Sequence, residues 1–172
     1  MREVLLNRDL DKETISQAKE TLESAVIGGD KEIILVINSD GGSIRLSMEL
    51  LEMLRQAEKN GLVISVQIYK AASMATVIAL SVGTNKIISR SGSISFHKAT
   101  LKLPASDYDL ETGLINHSVM VQVRKYNVLL QNILTRYGLS SDKKVMALLH
   151  GSGCFSLPAG RCVVLGMGDY MS

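Results

Sequence analysis

The 172-residue chain carries 19 lysine and arginine residues against 17 acidic ones, a formal net charge of +2 at pH 7, and only 4% aromatic residues. This balance gives no basis for binding nucleic acid or an anionic membrane. No run of roughly 18 or more apolar residues is present and the start lacks the apolar core of a signal peptide, so a cytoplasmic protein is expected. With 46% hydrophobic residues, the length predicts a single domain over 1–172.

Strands and helices alternate along the first half of the sequence. A short strand, EVLLN, precedes a helix that Asp11 can cap, and the β-branched run KEIILVIN at 31–38 predicts a strand buried on both faces. The turn SDGGS then leads to a helix at 44–60 that Gly61 closes. The segments LVISVQIY and SMATVIALSVG predict the next strand and the next helix.

The second half predicts NKIIS and GSISFH as two short strands, followed by the polar loop KATLKLPASDYDLETG. A long helix at 114–137 ends at Gly138, SSDKKVMALLH starts another helix with a serine cap, and the tail alternates short strand and turn signals. This order of elements is typical of an α/β fold with a mostly parallel sheet flanked by helices.

Two strand-to-helix junctions contain candidate catalytic groups, because α/β proteins bind their ligands at the carboxyl ends of parallel strands. In NSDGGSI, paired glycines allow close backbone approach and the helix start directs N–H groups at negative charge, as an oxyanion hole requires; a plain turn capped by Ser43 is the alternative. In AASMA, Ser73 is either the N-cap of the next helix or a nucleophile, with the Met74 N–H pointing the same way.

His97 ends the segment ISFH and is the candidate partner of Ser73. A neutral imidazole beside this serine would act as general base and then as general acid to a leaving amine, whereas a hydrogen-bonded core or surface histidine is the alternative.

The two cysteines, Cys154 and Cys162, fit neither a zinc-binding spacing nor a CxxC motif and are predicted to be buried free thiols. We therefore expect no metal and no cofactor.

The segments INSDGGSI, KAASMATVIAL and ISFHKA, in this order and spacing, resemble the ClpP peptidase family within the Clp/crotonase fold. The resemblance extends over nearly the whole chain, because the flanking segments are similar to the family's first strand and helix, its handle helix and its closing stretch. It implies a fold of repeated ββα and βα units with a projecting handle helix. It also implies a serine-type endopeptidase that hydrolyses peptides or unfolded protein segments through an acyl-enzyme.

By that resemblance Ser73 is the nucleophile, His97 is the general base, and the N–H groups of Gly42 and Met74 form the oxyanion hole. The resemblance further implies a homo-oligomer of heptameric rings, two of them stacked, with the long helix interlocking the rings. A Clp-type ATPase partner is left open, since few residues precede the first strand, where the family has its axial pore loops.

The main departure from the family pattern concerns the third catalytic residue, an aspartate just before the closing strand. Here HGSGCFS has Gly153 nearest that place and no carboxylate, and Asp142 lies upstream at a helix start. His97 would then be oriented by a backbone carbonyl, by water, or by a group such as His150 or Asp109. A catalytically weak or inactive ring subunit that lacks the triad aspartate is the alternative function.

A second departure is Asp40, which replaces a proline ahead of the glycines and adds a charge near the oxyanion site. Two further enzyme classes share the fold. Acyl-CoA enzymes of the crotonase type use a similar two-amide oxyanion hole but need no serine and histidine pair. Serine–lysine peptidases would use Lys70 or Lys98 as base, and for that class a membrane anchor is expected.

Overall fold

Parallel strands form the centre of the sheet in the computed structural model, which describes residues 1–97, 99, 117–150 and 153–171. β5 extends the sheet antiparallel to the end of β4, and β6 pairs in parallel with the beginning of β4. The mostly parallel sheet predicted from the sequence is therefore confirmed. The strands are β1 (Arg2–Leu6), β2 (Glu32–Ser39), β3 (Val63–Ala72), β4 (Asn85–His97), β5 (Cys154–Pro158) and β6 (Asp169–Tyr170).

One helix lies in each connection between the first four strands: α1 (Lys12–Ile27), α2 (Ile44–Lys59) and α3 (Met74–Ser81). The side chain of Asp11 caps α1 by accepting the Thr14 N–H at 2.9 Å, as predicted. Crossovers of this kind return the chain to the same edge of the sheet, so that every parallel strand ends at one edge.

The C-terminal part contains α4 (His117–Arg136), a 3₁₀ turn (Leu139–Ser141), α5 (Lys143–His150) and α6 (Ala159–Val164). Gly138 follows α4 in the left-handed conformation, at φ 70° and ψ 10°, in agreement with the predicted helix end. The predicted start of this helix at 114, and the polar loop before it apart from Ala99, lie outside the described residues.

Three details of the sequence prediction are wrong. NKIIS and GSISFH belong to one strand, β4, which bulges between the residues that pair with Ile68 and Lys70. The cap of α5 is Asp142, which accepts the Lys144 N–H at 2.9 Å, and not a serine. The tail forms α6 in place of strand and turn alone, because contacts with β4 and β5 stabilise a helix that is too short to persist by itself.

The core lies on one face of the sheet more than on the other. In β2, Ile33, Leu35 and Ile37 are fully buried, whereas Ile34 and Val36 on the opposite face are only half-buried. The prediction that this strand is buried on both faces is therefore correct for one face only. Among the described residues, no helix is both long and apolar enough to cross a membrane.

Candidate active site

The ends of three parallel strands bring the candidate residues to one edge of the sheet. In the strand register Ser39 pairs with Ala71, and Ala72 pairs with Ser95. The glycine loop that follows β2, the turn that follows β3 and the last residue of β4 therefore lie next to one another. This edge is the place where α/β folds bind their ligands.

Ser73 has a backbone conformation that sets it apart from its neighbours. With φ 55° and ψ −125°, it is the only non-glycine residue with positive φ in the described part of the chain. Its side chain forms no capping hydrogen bond with α3, so the N-cap alternative is excluded for this hydroxyl. A strained strand-to-helix turn of this kind presents a serine hydroxyl away from the helix, and Ser73 is only half-buried.

The glycine loop lies directly against the Ser73 turn. A Cβ added to Gly41, which has φ +98°, would lie 2.6 Å from Cβ of Ser73 and 3.2 Å from the Met74 nitrogen. Leu10 holds the other side of the loop, donating its N–H to the Gly41 carbonyl at 2.8 Å and accepting the Ser43 N–H at 3.0 Å. The hydrogen bonds within the described residues leave the N–H groups of Gly42 and Met74 without an acceptor.

Ser43 does cap α2, accepting the Leu46 N–H at 3.4 Å. The alternative given for NSDGGSI, a turn in which Ser43 caps the next helix, is therefore correct as far as the Ser43 side chain is concerned. It does not compete with the oxyanion-hole prediction, because the cap uses the Ser43 side chain and the predicted donors are main-chain N–H groups.

Thr76 ties the first turn of α3 to the two strands beneath it. Its buried Oγ1 lies 2.9 Å from the Ala71 carbonyl oxygen and 2.8 Å from that of Ser95, so one hydroxyl is shared between the ends of β3 and β4. This contact fixes the position of the turn that holds Ser73 relative to the strand that ends at His97.

Tyr126 on α4 contacts the end of β4, and the sequence did not single it out. Its hydroxyl donates to the His97 carbonyl oxygen at 2.6 Å. Burial raises the pKa of Tyr126 to about 12. The only sequence signal is a tyrosine in line with the apolar stripe of a helix. A hydrogen bond between Ser73 and the ring of His97 remains a prediction.

Comparisons with known proteins agree with this geometry. A family model described as Clp protease matches residues 1–137. The chain belongs to the Clp protease family. The crystal structure of the ClpP protease catalytic domain from Plasmodium falciparum aligns with a TM-score of 0.70 over 99% of this chain and 84% of that chain, at 16% sequence identity. A search of curated proteins found no match. The predicted family and ClpP-like fold are confirmed.

The residues named in the sequence analysis for orienting His97 have the following places in the structure. Gly153 directly precedes Cys154, the residue that lies opposite His97 in the sheet, so position 153 is beside the end of β4. Asp142 is used in the cap of α5, and His150 is exposed at the end of that helix. Asp109 lies outside the described residues.

The Asp40 carboxylate beside the glycine loop has a basic partner. Nζ of Lys70 lies 2.7 Å from Oδ1 of Asp40 in an exposed ion pair. Such pairs contribute little stability, but this one offsets a negative charge close to the predicted oxyanion site. As a catalytic base, Lys70 would first have to leave this ion pair. Lys98, the other lysine considered, lies outside the described residues.

The prediction of two buried thiols is right for Cys162 and wrong for Cys154. Burial raises the pKa of the Cys162 thiol to about 11. Cys154 is exposed because it begins β5, which pairs with β4 along one side, and its side chain shares a face of the sheet with that of His97.

Proposed function

We propose that this Clp protease family chain is a serine-type endopeptidase, folded as one domain over 1–172, that hydrolyses peptides or unfolded protein segments through an acyl-enzyme on Ser73. The observation that carries the proposal is the backbone of Ser73, at φ 55° and ψ −125°, between a parallel strand and a helix that its side chain does not cap. An ordinary serine N-cap has extended backbone angles and needs no such strain.

In the proposed acylation step, Oγ of Ser73 attacks the carbonyl carbon of the scissile peptide bond while its proton passes to the ring of His97. The protonated ring then gives this proton to the leaving amine, and the C–N bond breaks. In deacylation, water attacks the ester carbonyl while His97 takes its proton, and the proton returns to Ser73 as the acyl product leaves.

Both steps place negative charge on the substrate's carbonyl oxygen, and we assign the N–H groups of Gly42 and Met74 as its donors. The close approach of Gly41 to the Ser73 turn supports this assignment, since the adjacent amides then flank the attacking oxygen. Each such donor is typically worth about 3 kcal/mol in the transition state.

The first test is covalent labelling with a fluorophosphonate. We expect the probe to modify Ser73 at one site per chain, and Ser73→Ala to lose all labelling because the attacking oxygen is gone. Intact-mass and peptide mass spectrometry give the stoichiometry and the position. Ser91→Ala is the matched control, because this exposed hydroxyl contacts only Ser89 among the described side chains. Absence of labelling on folded protein, together with no peptide hydrolysis, would contradict the proposal.

We also propose that the chain assembles into homo-oligomeric rings, heptameric and stacked in pairs, with α4 as the projecting handle helix. Support comes from α4, where Val128 is 59% exposed and lines a cavity of about 370 Å³. The other lining residues are three apolar ones and three basic ones: Met48, Val121, Leu129, Arg55, Arg124 and Lys125. Light scattering of the pure protein measures the assembly directly, and a monomer at micromolar concentration would contradict it.

A second candidate is a catalytically weak or inactive ring subunit, and the observation that favours it is Gly153. A serine triad whose aspartate cannot hold the histidine in its working tautomer loses about 10⁴-fold in rate. We call this second candidate the scaffold candidate. If it is correct, labelling of the wild-type chain should be slow, and a carboxylate introduced beside the end of β4 should accelerate it.

Gly153→Asp separates the two candidates by the rate of fluorophosphonate labelling. Under the scaffold candidate, the variant should react at least about tenfold faster than wild type, whereas a fully active peptidase should change by less than about threefold. Asn132→Asp, on an exposed position of α4, adds the same charge elsewhere and serves as the control. Acceleration in both variants would show a general charge effect and would remove the support for the scaffold candidate.

A further inference from the structure

The last two residues of β4 extend beyond the end of β3. In the register of these parallel strands Ala72 is the last residue of β3 and pairs with Ser95, whereas β4 continues to His97. The Ser95 carbonyl oxygen lies 2.8 Å from Oγ1 of Thr76 on α3. Because alternate carbonyls along a strand point to the same side, the His97 carbonyl also points to this side, where pairing with β3 has stopped.

β5, on the other side of β4, does not pair with the His97 carbonyl. Ser93 is paired with Pro158, and a proline has no N–H with which to form a hydrogen-bonded pair. Hydrogen-bonded and non-hydrogen-bonded pairs alternate along antiparallel strands, so the pair of His97 with Cys154 is of the second kind as well. The His97 carbonyl therefore needs a donor from outside the sheet.

The side-chain contact halfway between these two pairs agrees with this pattern. Oγ of Ser95 lies 2.7 Å from Oγ of Ser156, its partner on β5. Side chains approach each other most closely in non-hydrogen-bonded pairs, so this pair belongs to the same set as the pair that contains His97.

Tyr126 supplies the donor that the sheet does not. Its hydroxyl donates to the His97 carbonyl oxygen at 2.6 Å, and its side chain is 0% exposed. The phenol is protonated at neutral pH, because burial raises its pKa to about 12. Leu130 and Ile133, farther along α4, are also buried, so the helix that carries the phenol is itself packed into the core.

A donor on this carbonyl constrains the direction of the His97 side chain. His97 is the last residue of β4, and its main chain has no partner strand on the β3 side. A fixed carbonyl limits rotation about the bond between Cα and the carbonyl carbon, so the main chain of His97 is held on both sides of Cα. The direction of the Cα–Cβ bond, and with it the origin of the imidazole, follows from that main chain.

We propose that Tyr126 is a positioning residue of this peptidase, whose hydroxyl holds the main chain of His97 so that the imidazole starts from a fixed place beside the Ser73 turn. The inference rests on the function proposed above, since it concerns the assigned base. Tyr126 takes no part in proton transfer, because its proton is held by a main-chain carbonyl. Its contribution is the geometry in which His97 receives the serine proton.

Tyr126→Phe tests this inference, because it removes the hydroxyl and keeps the ring that fills the core. With a fluorophosphonate, we expect the maximal inactivation rate to fall about tenfold, less than the loss of about 100-fold that a misplacement of about 1 Å can cause. The probe's reversible affinity and the final stoichiometry of labelling should stay unchanged. Tyr137→Phe is the matched control, a half-buried tyrosine immediately after α4, and it should react like wild type.

The outcomes separate this inference from the proposed function. If wild type is not labelled, the proposed function fails; if wild type is labelled and Tyr126→Phe reacts at least as fast, only the positioning role fails. A smaller labelled fraction with an unchanged rate would reveal a purely structural role and would overturn the inference. A loss of reversible affinity with an unchanged maximal rate would place the effect on probe binding and would also overturn it.

The wild-type chain keeps the inference testable if Tyr126→Phe does not fold. In a crystal structure of wild type modified by the fluorophosphonate, we expect the Tyr126 oxygen to remain about 2.5–3.0 Å from the His97 carbonyl oxygen, as a hydrogen bond requires. A separation above about 3.5 Å would show that the phenol does not hold this carbonyl and would overturn the inference.

Discussion

Replacing His97 with glutamine should lower the rate at which a fluorophosphonate modifies Ser73 by about 10⁶-fold, the order of loss seen when a serine nucleophile is deprived of its base. Glutamine keeps a polar side chain of similar size but cannot take the serine proton. The rate is measured near neutral pH as inactivation efficiency, and the thermal midpoint of unfolding shows whether the variant is folded.

His150→Gln is the control for this experiment, since His150 is exposed at the end of α5. It should leave the rate unchanged. If only His150→Gln lowered the labelling rate, His150 and not His97 would be the base. An unchanged labelling rate in His97→Gln would contradict the assignment of His97 as the base.

Replacing Gly41 with alanine should lower the labelling rate of Ser73 by about 100-fold, the cost of displacing a reacting group by about 1 Å. The added Cβ would lie 2.6 Å from Cβ of Ser73 and 2.7 Å from the carbonyl oxygen of Ala72. Both neighbours belong to the turn itself, so the turn has to move. Labelling kinetics and the thermal midpoint of unfolding are measured on the same sample.

Gly61→Ala separates this steric effect from backbone strain. Gly61 has φ +94°, close to the +98° of Gly41, but no described heavy atom lies within 4 Å of its added Cβ. Both variants carry strain of about 1–3 kcal/mol, and only Gly41→Ala meets the Ser73 turn. We therefore expect Gly61→Ala to unfold at a lower temperature and to label at the wild-type rate. Equal labelling of both variants would show that the close approach does not matter for the site.

The parallel sheet and its helices could be predicted because their determinants lie close together in the sequence. The run that forms β2 is β-branched over consecutive residues, and Asp11 accepts the N–H of a residue three positions ahead. Glycines end helices where they adopt the left-handed conformation, as Gly138 does. Each of these features depends on a few neighbouring residues, so a local sequence pattern is enough to predict it.

Elements that depend on distant neighbours were predicted less well. NKIIS and GSISFH predict two strands, whereas pairing with β3 and β5 keeps β4 continuous through its bulge. α6 contains a glycine and is short, and its contacts with β4 and β5 stabilise it. Cys154 resembles an ordinary core thiol in the sequence, yet it begins a short strand where it is exposed.

By itself, the sequence determined the family and the order of the motifs, and therefore which edge of the sheet holds Ser73, His97 and the glycine loop. It also determined that no carboxylate stands at position 153. Only the tertiary structure decided that the Ser73 side chain is not a helix cap and that the Tyr126 hydroxyl donates to the His97 carbonyl oxygen. The physical reason is distance along the chain: a motif consists of neighbouring residues, whereas the phenol that contacts the end of β4 lies 29 positions after His97.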